Sequence, residues 1–398
     1  MIDIKTHPIF KGTNPLKKHA HLARIYLAQK YAKMLTRDKF IGITGSVGKT
    51  STVLACQAVL SQKFKTTSTL ETDKKVPNLD MVFNLPMTIL RVRPSTEKVV
   101  IEMGIEFPGE MDFYLSLVQP QTGIVTRIAN AHSQFLGGVE DILKEKGKLI
   151  EQLPKEGFAI LNYDDPLVRT LSTKTKAQVL SYGLTNEADV HASHIKVENF
   201  QLKFGINYGV ERVDLKTKFL GRHMVYALLA AAALGISVGI SLPKIKKALE
   251  AIEPADHRLK AFEGFNDSII LDDSYNAAPV AVEEAIETLS ELPARRRIVV
   301  LGEMKELGEF SEKMHRQIAQ KLYKEKPDLV FLGTGEANII ADELIKLGFI
   351  PERIDYNLKN SEIVNKLFKI LAKGDVVLVK GAHSLRLDEV VDRLVKLK

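Results

Sequence analysis

A short glycine-rich stretch, Thr44–Ser51, carries residues whose types and spacing suit phosphate binding. It follows an apolar run at Phe40–Ile43 and precedes a segment of helical character. Glycines let backbone N–H groups turn toward a phosphate, a lysine adds a full positive charge, and the adjacent threonine hydroxyl can bind Mg²⁺. The stretch therefore predicts a nucleoside triphosphate site whose residues are Gly45, Ser46, Val47, Gly48, Lys49, Thr50 and Ser51.

The stretch departs from the general phosphate-loop pattern at one position. That pattern has a glycine five residues before Gly48, where this chain has Ile43. What remains is the shorter form Gly-x-x-Gly-Lys-Thr. A glycine-rich turn with a chance lysine is the alternative interpretation, and the flanking strand and helix patterns disfavour it.

Three further residues in this half of the chain could take part in phosphate or metal chemistry. Glu102 lies near the end of an apolar run at Val99–Met103, where a carboxylate needs a cation such as Mg²⁺. His132 follows the next apolar run and could bind a metal or a phosphate, although a lone loop histidine usually does neither. Lys146 lies in a charged helical stretch, 144–148, whose simplest interpretation is a solvated surface.

A second polar cluster, Asp272–Pro279, follows an apolar run late in the chain. Two acids, a serine and an asparagine before a proline are typical of a tight turn from strand to helix. Such a turn suits nucleotide contacts, or it only caps the next helix. The residues alone do not decide between these two interpretations.

The elements around these clusters alternate between apolar runs and amphipathic helices, which is typical of a doubly wound, mostly parallel sheet. The predicted strands are Phe40–Thr44, Val99–Met103, Ile124–Ile128 and Phe158–Asn162, then Ser268–Leu271, Ile298–Leu301, Leu329–Leu332 and Val376–Val379. The helical pattern breaks near Pro254. We therefore expect an α/β protein with a short helical segment at 1–38, a central P-loop domain at 39–252, and a smaller Rossmann-like domain at 253–398.

Composition narrows the class of protein. Hydrophobic content of 45% and charged content of 26% fit a soluble globular chain, and a single cysteine suits a reducing cytosol. The net charge of +7 comes without basic blocks that alternate with aromatic residues, so nucleic acid is not expected as a partner.

No signal peptide is visible. The uncharged stretch Met224–Pro243 is rich in small residues, which favours a packed helix over a membrane span.

Ten short motifs follow one another along the chain: Thr44–Thr50, Asn84–Thr88, Glu102–Gly104, Pro108–Glu110, Asn130–His132, Leu161–Pro166, Gly221–His223, Asp272–Pro279, Leu301–Gly308 and Lys380–Arg386. With these motifs in this order, the chain resembles the Mur ligase family of ATP-dependent amide ligases, which build cell-wall precursors. Within the family it looks most like the subgroup that adds the dipeptide D-alanyl-D-alanine to a UDP-linked tripeptide.

The resemblance implies a mechanism and roles for named residues. ATP would convert a substrate carboxylate into an acyl phosphate, and an incoming amine would displace the phosphate. Lys49, Glu102, His132 and Lys146 would be catalytic, and Thr50, Glu102 and His132 would be the ligands of two Mg²⁺ ions. Lys146 falls where many family members carry a carbamylated lysine. Arg258 would contact the ATP phosphates and Asn276 the adenine side, while the substrate side would hold Asn84, Thr88, Asp273 and Lys380.

The family resemblance leaves the substrate open. Typical members begin with a UDP-sugar-binding domain. Because the phosphate loop begins at Thr44, we expect that domain to be missing or reduced to one helical segment. We therefore expect a monomeric cytoplasmic peptidoglycan enzyme, or a related ligase acting on a pseudomurein peptide, a cofactor carboxylate or a polyglutamate chain. A P-loop ATPase that forms no amide bond is the alternative from another class.

Overall fold

A computed structural model describes residues 4–73, 80–129 and 136–396 of the chain. Two sheets organise these residues, one of nine strands and one of six. Parallel strands with helices between them dominate both sheets, as the alternating pattern predicted. The α/β fold class is therefore confirmed.

The nine-stranded sheet has the order β2-β3-β1-β4-β5-β6-β7-β8-β9. Neighbours are parallel from β2 to β7, and the last two strands add antiparallel hairpins. Every residue of β1 is buried. The strands are β1 Phe40–Thr44, β2 Thr66–Ser68, β3 Lys98–Glu102, β4 Thr122–Val125, β5 Phe158–Asn162, β6 Gln178–Gly183, β7 Val190–Glu198, β8 Gln201–Tyr208 and β9 Glu211–Thr217.

Helices cover both faces of this sheet. The uncharged stretch forms α8, which is buried along most of its length against α2 and the sheet, as expected of a small-residue helix. No helix among the described residues combines the length and hydropathy needed to cross a bilayer. The helices are α1 Pro15–Ala32, α2 Lys49–Leu60, α3 Thr69–Asp73, α4 Met81–Arg91, α5 Glu110–Leu117, α6 Val139–Glu151, α7 Pro166–Thr170, α8 Met224–Ser237 and α9 Leu242–Glu250.

The six-stranded sheet has the order β10-β11-β15-β12-β13-β14, with only β10 antiparallel to its neighbour. Its strands are β10 Lys260–Glu263, β11 Ile269–Asp273, β12 Arg296–Leu301, β13 Leu329–Gly333, β14 Ile354–Leu358 and β15 Asp375–Lys380. Its helices are α10 Pro279–Glu291, α11 Ser311–Glu325, α12 Asn338–Lys346, α13 Asn360–Ile370 and α14 Asp388–Leu394. Apolar clusters lie on both faces of this sheet.

The first helix packs on the central unit through one face. Ile25, Ala28 and Ala32 join a core cluster that also contains residues of α4 and α5. Near the start of the described chain, His7 Nε2 donates to Glu110 Oε1 at 2.9 Å, while its Nδ1 accepts from the Ile9 N–H. Both side chains are almost fully buried. The domain limits at 38/39 and 252/253 stay predictions, although no strand of either sheet crosses them.

Candidate active site

A cleft of about 620 Å³ lies where residues at the carboxyl ends of strands from the two sheets face each other. Open α/β sheets bind ligands at this edge, because the loops that follow parallel strands meet there. The phosphate loop after β1 lines one wall, and the turn after β11 lines the opposite wall. The two polar clusters singled out from the sequence therefore face the same space.

The phosphate loop is held in shape by the segment after β4. Thr126 Oγ1 donates to the Val47 carbonyl at 2.6 Å, and Ser46 N–H donates to the Arg127 carbonyl at 2.7 Å. Gly45 has φ +149°, and a Cβ on it would lie 1.9 Å from Thr126 Oγ1. Gly48 has φ +80° with open space around it. Glycine at 45 is thus required by close approach, and glycine at 48 by backbone conformation alone.

Lys49 begins α2 and folds back over the loop. Its Nζ donates to the carbonyls of Gly45 at 2.9 Å and Ser46 at 3.2 Å. Burial lowers the pKa of Lys49 from its ordinary value, an effect that the nearby Glu102 carboxylate opposes. The ammonium lies at the point where loop N–H groups and the helix N-terminus concentrate positive potential.

Thr50 and Glu102 form the oxygen pair expected of a magnesium site. Thr50 Oγ1 donates to Glu102 Oε2 at 3.1 Å, and Thr69 Oγ1 accepts from Glu102 N–H at 3.0 Å. Mg²⁺ prefers oxygen ligands and keeps several waters, so one hydroxyl and one carboxylate fit its needs. Within the described residues, no cluster of three histidine, cysteine or acidic side chains offers an alternative metal cage.

Lys146 does not lie on a solvated surface, so the simplest interpretation of its charged stretch is wrong. Its side chain is 2% exposed, and the adjacent Glu145 is buried as well. Burial together with the Lys49 charge holds the pKa of Lys146 well below its usual range. Glu145 is satisfied by the N–H groups of Gly109 and Met111, at 2.9 and 3.2 Å, and by Lys148.

Arg258 reaches across the cleft from the second unit. Its guanidinium stacks over the Tyr275 ring at 3.9 Å, and Nη2 lies 3.4 Å from Thr50 Oγ1. The residues on either side, His257 and Leu259, both have φ in the left-handed region, at 59° and 51°. This backbone turns Arg258 toward the phosphate loop, where a cation can face a bound polyphosphate.

The turn after β11 is organised by Lys380 at the end of β15. Its ammonium, almost fully buried, pairs with Asp273 Oδ2 at 2.6 Å and donates to the Asn276 carbonyl at 2.8 Å. Asp273 Oδ1 also accepts from the Leu259 N–H. The side chain of Asn276 is exposed in the cleft. Asp273, Asn276 and Lys380, which come from two separate sequence motifs, thus lie together.

Two residues of α4, Asn84 and Thr88, were predicted to face the substrate, and only one of them lines the cleft. Asn84 lines the cleft. Thr88 does not: it is buried one turn behind, where its hydroxyl bonds with Asn84 Oδ1 at 3.0 Å and with Thr72 at 2.8 Å. Thr88 therefore orients Asn84 and does not itself face a ligand. His132, expected as a metal ligand, lies outside the described residues.

The sequence did not single out two features of the cleft wall. His223 lines the cleft, and burial lowers its pKa to about 4, which keeps the ring neutral at pH 7. Glu284 on α10 pairs with Arg127 of the central unit at 2.8 Å, and burial raises the pKa of Glu284 to about 7. His223 belonged to a recognised motif, but nothing in the pattern around Glu284 marked it.

Comparison with known proteins agrees with this arrangement. The Mur ligase middle domain matches residues 43–235, and the Mur ligase glutamate ligase domain matches residues 257–383. The UDP-N-acetylmuramoyl-tripeptide–D-alanyl-D-alanine ligase of Escherichia coli is 31% identical over 89% of this chain and 76% of its own. The ligase of the same name from Bacillus subtilis is 28% identical over 98% of this chain and 82% of its own.

A solved structure shares the fold across most of the chain. The MurF ligase of Thermotoga maritima, in complex with ADP, has a TM-score of 0.82 at 23% identity, over 94% of this chain and 83% of its own. The two matched family domains, the similar relatives and the geometry of the cleft are consistent with one family. The chain belongs to the Mur ligase family of ATP-dependent ligases.

Proposed function

We propose that this chain adds D-alanyl-D-alanine, or a closely similar amine, to the terminal carboxylate of a muramoyl tripeptide precursor. The observation that carries the proposal is the similarity to ligases of that activity, at 28% and 31% identity over most of the chain. The cleft supports the proposal, because the phosphate loop after β1 and charged residues of the second unit line the same cavity.

The residues of the cleft suit phosphoryl transfer followed by amide formation. The γ-phosphoryl group of ATP passes to a carboxylate oxygen of the substrate, and ADP leaves. The amine nitrogen then attacks the acyl carbon, loses a proton, and inorganic phosphate departs. Lys49 and Arg258 approach the loop from opposite walls, so both can neutralise charge on the transferred group.

Thr50 and Glu102 are the groups that we propose to hold Mg²⁺. When bound, the ion supplies charge neutralisation and alignment of the phosphate oxygens. Glu102 is positioned for this by the Thr69 hydroxyl, which bonds with its backbone N–H. His132 remains our candidate ligand for a second ion on the basis of the family motif.

Lys146 has the environment that carbamylation needs. An amine reacts with CO₂ only when neutral, and burial shifts Lys146 toward that form. The product is an anion, which the neighbouring Lys49 cation would favour. We therefore propose that Lys146 carries a carbamate that helps to arrange the groups at the phosphate loop.

The proposed activity is tested by measuring ADP release with ATP, Mg²⁺, D-alanyl-D-alanine and UDP-muramoyl-tripeptide. We expect turnover that requires both the dipeptide and the acceptor. A parallel panel contains nucleotide-free muramoyl tripeptide, a pseudomurein peptide and a polyglutamate acceptor. Turnover only with the pseudomurein peptide, or only with the polyglutamate acceptor, would be consistent with ligase chemistry but would overturn the assignment of a muramoyl substrate.

A further inference from the structure

The positive charge of this chain is concentrated in its first 39 residues. They contain nine lysines and arginines against two aspartates, a net charge of +7, which equals that of the whole chain. The remaining 359 residues carry 47 basic and 47 acidic side chains and are formally neutral. The basic character of the protein is therefore a property of one segment, and it is not explained by an anionic substrate in the cleft.

The same segment exposes large apolar side chains. Among the described residues, four of the fourteen exposed large hydrophobic side chains lie within 4–39. Leu16 and Met34 are about 80% exposed, and Tyr26 and Leu27 more than half exposed. Isolated exposed leucines are ordinary on a protein surface, but a group on one short segment marks an interaction site.

Helical geometry places two apolar faces on opposite sides of α1. At about 100° per residue, the buried Ile25, Ala28 and Ala32 occupy one side and pack on the central unit. The opposite side is a line of exposed apolar residues spaced by four, three and four, namely Leu16, Ala20, Ala23 and Leu27. We call this line the outer stripe.

Basic residues flank the outer stripe on both sides. Lys17 lies on one flank, and Lys30 and Lys33 lie on the other, all exposed. Lys30 Nζ also lies 5.4 Å from the ring centroid of Tyr26. The outer stripe thus has a leucine at each end, alanines between them, an aromatic ring at its edge and lysines on both flanks. Such a face can lie against the headgroup layer of an anionic bilayer.

We propose that the outer stripe and its flanking lysines dock this protein on an anionic phospholipid surface. The lysines supply attraction to the headgroups, and Leu16 and Leu27 enter the boundary of the acyl chains. This inference is independent of the proposed function, since docking needs neither ATP nor a muramoyl substrate. A nucleic acid would be drawn by the lysines but gains little from an aliphatic stripe, so lipid accounts for more of the segment.

The test is sedimentation of the full-length chain with vesicles of phosphatidylglycerol and phosphatidylcholine, against phosphatidylcholine alone. We expect binding to the anionic vesicles that weakens as salt increases. Each lysine near an anionic surface adds about fivefold in affinity, so the triple variant K17E/K30E/K33E should lose on the order of a hundredfold. The double variant L16E/L27E should also lose binding, and both variants should keep wild-type circular dichroism because every changed side chain is exposed.

Matched controls separate this surface from general charge and apolarity. K155E/K244E/K373E changes the net charge equally at exposed lysines outside the segment, and V210E changes an apolar residue that is more exposed than Leu16 or Leu27. Both should bind vesicles like the wild type. Equal loss in the control triple, full binding by L16E/L27E, or binding to single-stranded RNA without binding to vesicles would each overturn the proposal.

Discussion

At the scale of single residues, Lys49 carries the strongest prediction. Lys49→Ala should reduce ADP formation on the order of a thousandfold, because the cation facing the transferred phosphoryl group is lost. Its partners in this structure are two loop carbonyls, so folding should be nearly unaffected. The measurement is coupled detection of ADP, with Lys247→Ala on the exposed side of α9 as control. Near-normal turnover of Lys49→Ala would contradict the assigned role.

Lys146 gives a prediction with a spectroscopic readout. Protein equilibrated with ¹³C-bicarbonate should show a carbamate carbonyl signal, because burial lowers the pKa of Lys146 and raises its neutral fraction at pH 8. Lys146→Gln should lose this signal and most ligase activity. Lys144→Gln, two residues away on the exposed face, should keep both. A signal that persists in Lys146→Gln would place the carbamate elsewhere.

At the scale of elements, the two glycines of the loop between β1 and α2 should differ in how strongly their substitution destabilises the protein. Gly45→Ala should destabilise the protein by several kcal/mol, because its Cβ would overlap Thr126 Oγ1. Gly48→Ala should cost only about 1 kcal/mol, since its positive φ is unfavourable but no atom is close. Urea unfolding midpoints of the two variants measure the difference. Equal midpoints would show that the segment after β4 yields to the added methyl group.

Elements with continuous apolar runs could be predicted well from the sequence. β1 and β5 match their predicted ranges, because strands buried on both faces show as uninterrupted apolar runs. The strand predicted at Ile124–Ile128 ends earlier, at Val125, since the chain turns there to support the phosphate loop. The edge strands β2 and β14 were not predicted, because short and partly exposed segments carry a weak pattern.

The burial of Lys146 shows why charged site residues are harder to predict. Charge alone indicated a solvated stretch, yet Lys146 shares the helical spacing of Ile142, Leu149 and Ile150, all buried. The helical spacing of Lys146 therefore predicts its burial, although the charged residues around it indicate a solvated surface. Glu284 had no such signal, because its partner Arg127 is distant in sequence.

At the scale of the whole molecule, the cleft is defined by contacts between groups of opposite walls. Arg258 approaches Thr50, and Glu284 pairs with Arg127. Neither pair joins neighbours in sequence, so each depends on the relative position of the two sheets. Ligand closure in such enzymes rearranges whole units. The titratable member of these pairs, Glu284, therefore links proton binding to the arrangement of the molecule.

Acidification should favour the arrangement in which Glu284 is buried. The pKa of Glu284 is raised to about 7 here and returns toward 4.5 if the two walls separate. The arrangement described here therefore binds more protons between those two pH values than one with separated walls. The resulting stabilisation is fully present below pH 4.5 and disappears as pH rises through 7. The radius of gyration from X-ray scattering should thus be smaller at pH 6 than at pH 8. The variant Glu284→Gln should lose this pH dependence of the radius of gyration, and the control Glu287→Gln, at an exposed position, should keep it. A larger radius at pH 6 than at pH 8 in the wild type would contradict the role of Glu284.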